Sequence, residues 1–137
     1  MPLPKLKIGL ICEDIRLELR NLSSFMGVYG FMPDVFIQIR NFQAPVNLCM
    51  VFAGDSADGK FIIEAELRNL DETLLAAEVL PKNYEFVFSP AGGGSVLGFR
   101  FKATFPGPNT YYVVLLHQEV EFFRTSFHLQ PMKQAAN

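Results

Sequence analysis

The stretch Lys60-Phe-Ile-Ile-Glu-Ala-Glu-Leu-Arg-Asn69 decides the fold. Phe61, Ile63, Ala65 and Leu67 share one parity, while Lys60, Glu64, Glu66 and Arg68 share the other, with Ile62 the lone exception. A helix would mix the two sets, whereas a pleated strand sends them to opposite faces. The stretch is therefore an amphipathic strand with a core face and a solvent face.

Working outward, Val96 to Phe105 repeats the pattern: Leu97, Phe99, Phe101, Ala103 and Phe105 face in, and Arg100, Lys102 and Thr104 face out. Near the N-terminus, Ile8, Leu10 and Cys12 are even-numbered, but Ile15, Leu17 and Leu19 are odd-numbered. The apolar phase slips at Glu13-Asp14, which a β-bulge or a strand break would produce. Further strands are expected at Phe25 to Phe31, Val35 to Ile39, Val46 to Ala53, Thr73 to Leu80, Tyr84 to Phe88, Tyr111 to His117 and Val120 to Leu129. Propensity alone would also allow one short helical turn at Thr73 to Glu78. Turn-forming residues separate the strands, including Asn21 to Ser24, Pro33-Asp34, Asp55 to Gly59, Pro81 to Asn83, Pro90 to Gly94 and Pro106 to Asn109.

No segment of helical length has 3.6-residue periodicity. Strands without crossover helices are expected to pair antiparallel, and one sheet could not cover this much apolar surface. The expected fold is all-β: one domain spanning 1–137, an antiparallel two-sheet immunoglobulin-like β-sandwich of about 8–9 strands, with a β-barrel as the alternative. The polar, small residues Lys133 to Asn137 are expected to fray as a disordered tail.

Composition narrows the function classes. The chain has 137 residues, 50% of them apolar and 19% charged, which suits a single packed core and excludes disorder. Its 14 Phe and absent Trp suit a dry core between two layers. A net charge of −2, with both signs mixed, provides no basic footprint for nucleic acid. The apolar run Ile8 to Cys12 is too short for a signal-peptide core, and no stretch approaches the roughly 20 apolar residues of a membrane span. The expected location is the cytoplasm, without nucleic-acid or membrane partners. There Cys12 and Cys49, the only cysteines, act as small core hydrophobes, with a disulfide between them the less favoured alternative.

Two segments resemble known proteins. In Phe105-Pro-Gly-Pro-Asn-Thr-Tyr-Tyr-Val-Val-Leu-Leu116, a turn, a tyrosine and alternating apolar residues resemble the corner and penultimate strand of immunoglobulin-like sandwiches. That likeness implies a tyrosine hydroxyl bonded to backbone upstream, and Tyr112 is the expected one because it shares a face with Val114 and Leu116. The second segment, Ile11-Cys-Glu-Asp-Ile-Arg-Leu-Glu18 with Asn21 to Gly30 and Pro33, is similar to the opening of a family of small bacterial proteins of unknown function. The likeness implies the sandwich and a bacterial origin, and no functional residue.

Chemical constellations are sparse. Asp55, Asp58 and Gly59 read as a hairpin turn rather than a calcium loop, because Glu66 at position twelve follows alternating strand residues. Gly92-Gly93-Gly94-Ser95 lacks the lysine and following helix of a phosphate loop. His117 and His128 read as solvated strand residues, with Glu119 and Glu121 the only candidate co-ligands for a metal. Glu13, Asp14 and Glu18 interleave with Arg16 and Arg20 as a salt-linked strand. No nucleophile–base pair stands out, and no Gly-x-Ser-x-Gly elbow occurs.

The strongest anomaly is Tyr111 to Leu116, which is apolar on both faces. If Tyr112, Val114 and Leu116 face the core, then Tyr111, Val113 and Leu115 form an outward interface for a homodimer or another protein, unless a segment such as Val35 to Ile39 covers them. The expected function is a non-enzymatic protein-interaction or assembly module without catalytic residues, metal or cofactor. The alternative is a small-molecule binder or enzyme with a pocket at one end of the sandwich.

Overall fold

A computed structural model describes residues 3–20, 23–30, 36–54, 59–88 and 96–132. These hold eleven strands: β1 (Leu6–Cys12), β2 (Asp14–Arg20), β3 (Ser23–Tyr29), β4 (Phe36–Ile39), β5 (Val46–Gly54), β6 (Gly59–Asn69), β7 (Leu74–Leu75), β8 (Tyr84–Phe88), β9 (Val96–Ala103), β10 (Asn109–His117) and β11 (Val120–Pro131). The described residues contain no helix. The strand count exceeds the expected eight or nine, partly because the phase slip is a strand break: Glu13 is a bend between β1 and β2. Thr73 to Glu78 forms no helical turn, contributing only β7 and an isolated bridge.

The protein is a β-sandwich. One sheet has the order β1-β5-β9, and the other has the order β4-β11-β10-β6-β7 with β8 also paired to β6. The ladders do not close into a barrel. One pairing departs from the antiparallel expectation, since β4 runs parallel to β11, aligning Ile37 with Leu129. These strands are distant in sequence, so no short hairpin dictates their direction.

The core lies between the two sheets. Leu48, Met50, Phe52, Phe101 and Ile11 pack with Phe61, Ile63, Ala65, Leu67, Val113, Leu115 and Phe127. Phe61, Ile63, Leu67 and Phe101 are buried as their alternation requires, and Phe99 packs half-buried against them. Burying each such large side chain contributes about 1.5–3 kcal/mol.

β2 pairs with β3, and its first residues lie over the outer side of the three-stranded sheet. Ile15 packs against the group formed by Cys12, Cys49 and Val51. Its Cδ1 lies 2.6 Å from where a Gly98 Cβ would stand, so the glycine makes room for this contact. Arg100 Nη2 donates to Asp14 Oδ1 at 2.9 Å and to the Ile15 carbonyl.

β10 reverses the expected faces. Tyr111, Val113 and Leu115 point into the core and are at most 1% exposed. Tyr111 stands opposite Phe127, packs on Phe105 and Phe127, and donates its hydroxyl to Gly107 O at 2.6 Å. Tyr111, not Tyr112, is therefore the tyrosine whose hydroxyl bonds to backbone upstream, and this bond marks the parity that the doubly apolar strand cannot display. The core has already claimed the three residues expected at an interface.

Candidate functional site

The outer face of β10 carries Tyr112, Val114 and Leu116. Val114 is fully buried without belonging to the main core. Its direct neighbours are Glu66 on β6 and Arg124 on β11. Long charged side chains bury their stems over apolar surface while their heads stay wet, and here those heads join in a lattice. Arg68 reaches Glu66 at 2.7 Å, Glu72 at 3.0 Å and Glu121 at 3.7 Å. Arg124 reaches Glu72 and Glu121 and lies 5.1 Å above the centre of the Tyr112 ring. β4 does not cover this face, since it extends the sheet sideways beside β11.

Glu72 holds the centre of the lattice at a backbone cost. It closes the three-residue loop between Asn69 and Thr73 with a φ of 70°, where glycine is usual. Hydrogen bonds from Arg124 and Arg68 push its carboxyl below the ordinary range. The Thr73 hydroxyl and amide do the same for Asp71.

Two of the concavities among the described residues lie away from the lattice. The first, about 680 Å3, is formed at the strand break by Glu13 and Asp14, with Gln38, Arg40, Asn41 and Asn47 among its other walls. A side chain at Gly30, whose φ is 103°, would collide with Glu13, so glycine permits the close approach. Asp14 is committed to the Ile15 amide and Arg100. The Arg16, Arg20 and Glu18 side chains lie outside the described set.

The second concavity, about 460 Å3, separates the segment after β7 from β9 and is lined by Leu75, Ala77, Glu78, Lys102 and Thr104. Glu78 and Lys102 bridge it through paired backbone bonds of 2.8 and 3.1 Å. Among the described ladders this is the only pairing on that side of β9, whose other side is occupied by β5. The neighbouring stretch exposes Leu70 by 55%, Leu74 by 60% and Val79 by 76%. Val79 has a φ of 69°, a strained conformation for a β-branched residue. Pro45 lines both concavities.

The histidines do not converge. His117 is buried rather than solvated: its Nδ1 lies 3.0 Å from the Ile62 carbonyl, and its ring packs edge-on against Phe61. His128 lies 2.7 Å from the Thr110 hydroxyl. Glu121 is held by Arg124, and the described residues contain no group of three metal-ligating side chains. Asp55, Asp58 and Gly92 to Ser95, as well as the expected tail 133–137, lie outside the described residues.

Cys12 and Cys49 are buried free thiols, directly opposite each other across β1 and β5. Burial pushes the Cys12 thiol up to about 12 and raises Cys49 as well. Sequence reasoning found both cysteines but could not fix their register. It also missed Arg40, Asn41 and the open side of β9, which only tertiary structure brings into the concavities. Among the described residues, no helix is long and apolar enough to cross a membrane. Comparison with protein-family models and with curated proteins returns no match.

Proposed function

We propose that this chain is a non-enzymatic, cytoplasmic protein-interaction module that binds an extended segment of a partner along the open side of β9. The observation carrying this reading is the combination of that little-paired edge with Leu70, Leu74 and Val79 exposed on the adjoining stretch. An unpaired strand edge offers backbone donors and acceptors, and nearby apolar side chains supply contact area. The partner is another protein or a second copy of this chain. The bond from Tyr111 to Gly107 supports an immunoglobulin-like form of the sandwich, and the motif around Cys12 supports kinship with the small bacterial family.

Selection of binders from a random library of extended peptides tests the proposal. Hydrogen exchange should show a selected peptide protecting amides in 74–79 and 96–103. Leu74→Asp and Val79→Asp should each weaken binding at least about tenfold, the effect of losing roughly 1.4 kcal/mol, with no change in Tm. Binders that protect another surface, or no binder at all, would refute the reading. Sedimentation at tens of micromolar separates a second copy from a different partner.

The concavity at Glu13 supports a second reading. Glu13 and Arg40 line one polar hollow, whose opposite charges suit a small zwitterion. A thermal-shift screen of amino-acid-like ligands, repeated with Arg40→Ala, distinguishes this reading from peptide binding.

A further inference from the structure

One pair of reactive groups among the described residues lies outside both concavities. Cys12 is the last residue of β1, and Cys49 is its direct partner on β5. Directly opposed residues in an antiparallel ladder have Cα atoms about 4.5–5.5 Å apart, within the 4.4–6.8 Å range that a disulfide spans. Both side chains lie on the outer side of their sheet, in a pocket closed by Ile15 and Leu10. The Cys49 thiol also points at the Glu13 carbonyl, with sulfur and oxygen 3.6 Å apart. Glu13 is the bend from which the β2–β3 hairpin departs. The pair therefore sits beneath a cover, at the root of that cover.

We propose that Cys12 and Cys49 form a reversible dithiol–disulfide site, oxidised by a small-molecule disulfide of the glutathione type when Ile15 and the start of β2 lift. One thiol loses its proton and attacks the small disulfide, forming a mixed disulfide and releasing one small thiolate. The second protein thiolate attacks the mixed disulfide at the protein sulfur, forming the Cys12–Cys49 bond and expelling the second small thiolate. Two protein thiols are oxidised, the small disulfide is reduced to two thiols, and the released protons balance the charge. Burial and raised thiol pKa values keep the closed form inert, because the thiolate is the attacking species. Local opening of this cover sets the rate. Oxidation also removes the S–H donor facing Glu13, so the bend carrying the hairpin loses a partner.

The test incubates the full chain with oxidised glutathione and follows intact mass and free thiols. The expected product is a monomer lighter by about 2 Da with no free thiol, a Tm raised by about 5–15 °C, and full reversal by dithiothreitol. Ile15→Ala should accelerate oxidation several-fold by loosening the cover. In Cys49→Ser, oxidation should stop at a Cys12 mixed disulfide. Two thiols persisting in both the native chain and Ile15→Ala, or only intermolecular disulfides, would overturn the proposal.

Discussion

Each sheet of the sandwich has an outer face to protect, and the molecule uses different covers for the two. Over the three-stranded sheet, the chain lays the start of β2, packing Ile15 on Cys12, Cys49 and Val51 and pinning Asp14 to Arg100. Over β10, the cover consists of side chains from the sheet itself: Arg68 and Arg124 joined through Glu66, Glu72 and Glu121 above Val114. The first cover is an apolar contact made by a separate element. The second is a wet lattice of long stems that cannot lift away without the sheet. The first can open locally, whereas the second can only weaken.

The harshest test of this contrast is Val114→Asp. A charge placed on a fully buried position beneath the lattice should cost about 3–5 kcal/mol in urea unfolding, or prevent folding. A loss below 1 kcal/mol would show that the face is wet and the lattice covers nothing. Next comes Ile15→Ala, expected to cost about 1–2 kcal/mol because the side chain is only half-buried. Its effect should hardly change with salt, and hydrogen exchange should rise in β2 and β3 alone.

Arg124→Met keeps much of the stem and removes the charge, so it should lower Tm by only a few degrees, with the difference shrinking in high salt. The same lattice gives a pH signature. Glu72 has a carboxyl depressed below 4.5, so its contribution is complete above that pH and is lost as pH falls through the lower folded value. Arg124→Met should flatten this acid limb, and an unchanged limb would assign it to other carboxylates. The smallest expected effect is at the β10–β11 turn, where Gln118 and Glu119 both have positive φ. Glu119→Gly should raise stability by about 0.5 kcal/mol, since glycine enters that region without penalty but loses more chain entropy on folding.

The legibility of each strand depended on whether its two faces differed. In β6, apolar and charged residues separate by parity, and the structure keeps the division. In β10, six consecutive apolar or aromatic residues carry no parity signal, so Tyr111 and Tyr112 were indistinguishable until the bond to Gly107 marked one. The lattice was visible only as the charged row on β6, because the partners that row meets depend on long-range register. The Cys12–Cys49 pairing was hidden for the same reason: sequence gives each strand's faces, not its sliding position. The acidic group at Glu13 was noticed, but Arg40 and Asn41 reach it from a different loop.

The place of β11 has a consequence for synthesis. It lies between β10 and β4, supplying Phe127 and Leu129 to the core and Glu121 and Arg124 to the lattice. A nascent chain that has emerged only as far as residue 117 has made β10 without the strand that pairs along its length. One row of β10 is then missing its core partners and the other lacks part of its charged cover. Such an intermediate offers a sticky apolar edge to other nascent chains. Ribosome-bound chains arrested before 120–131 emerge should therefore engage holding chaperones, and those arrested after it should be released from them.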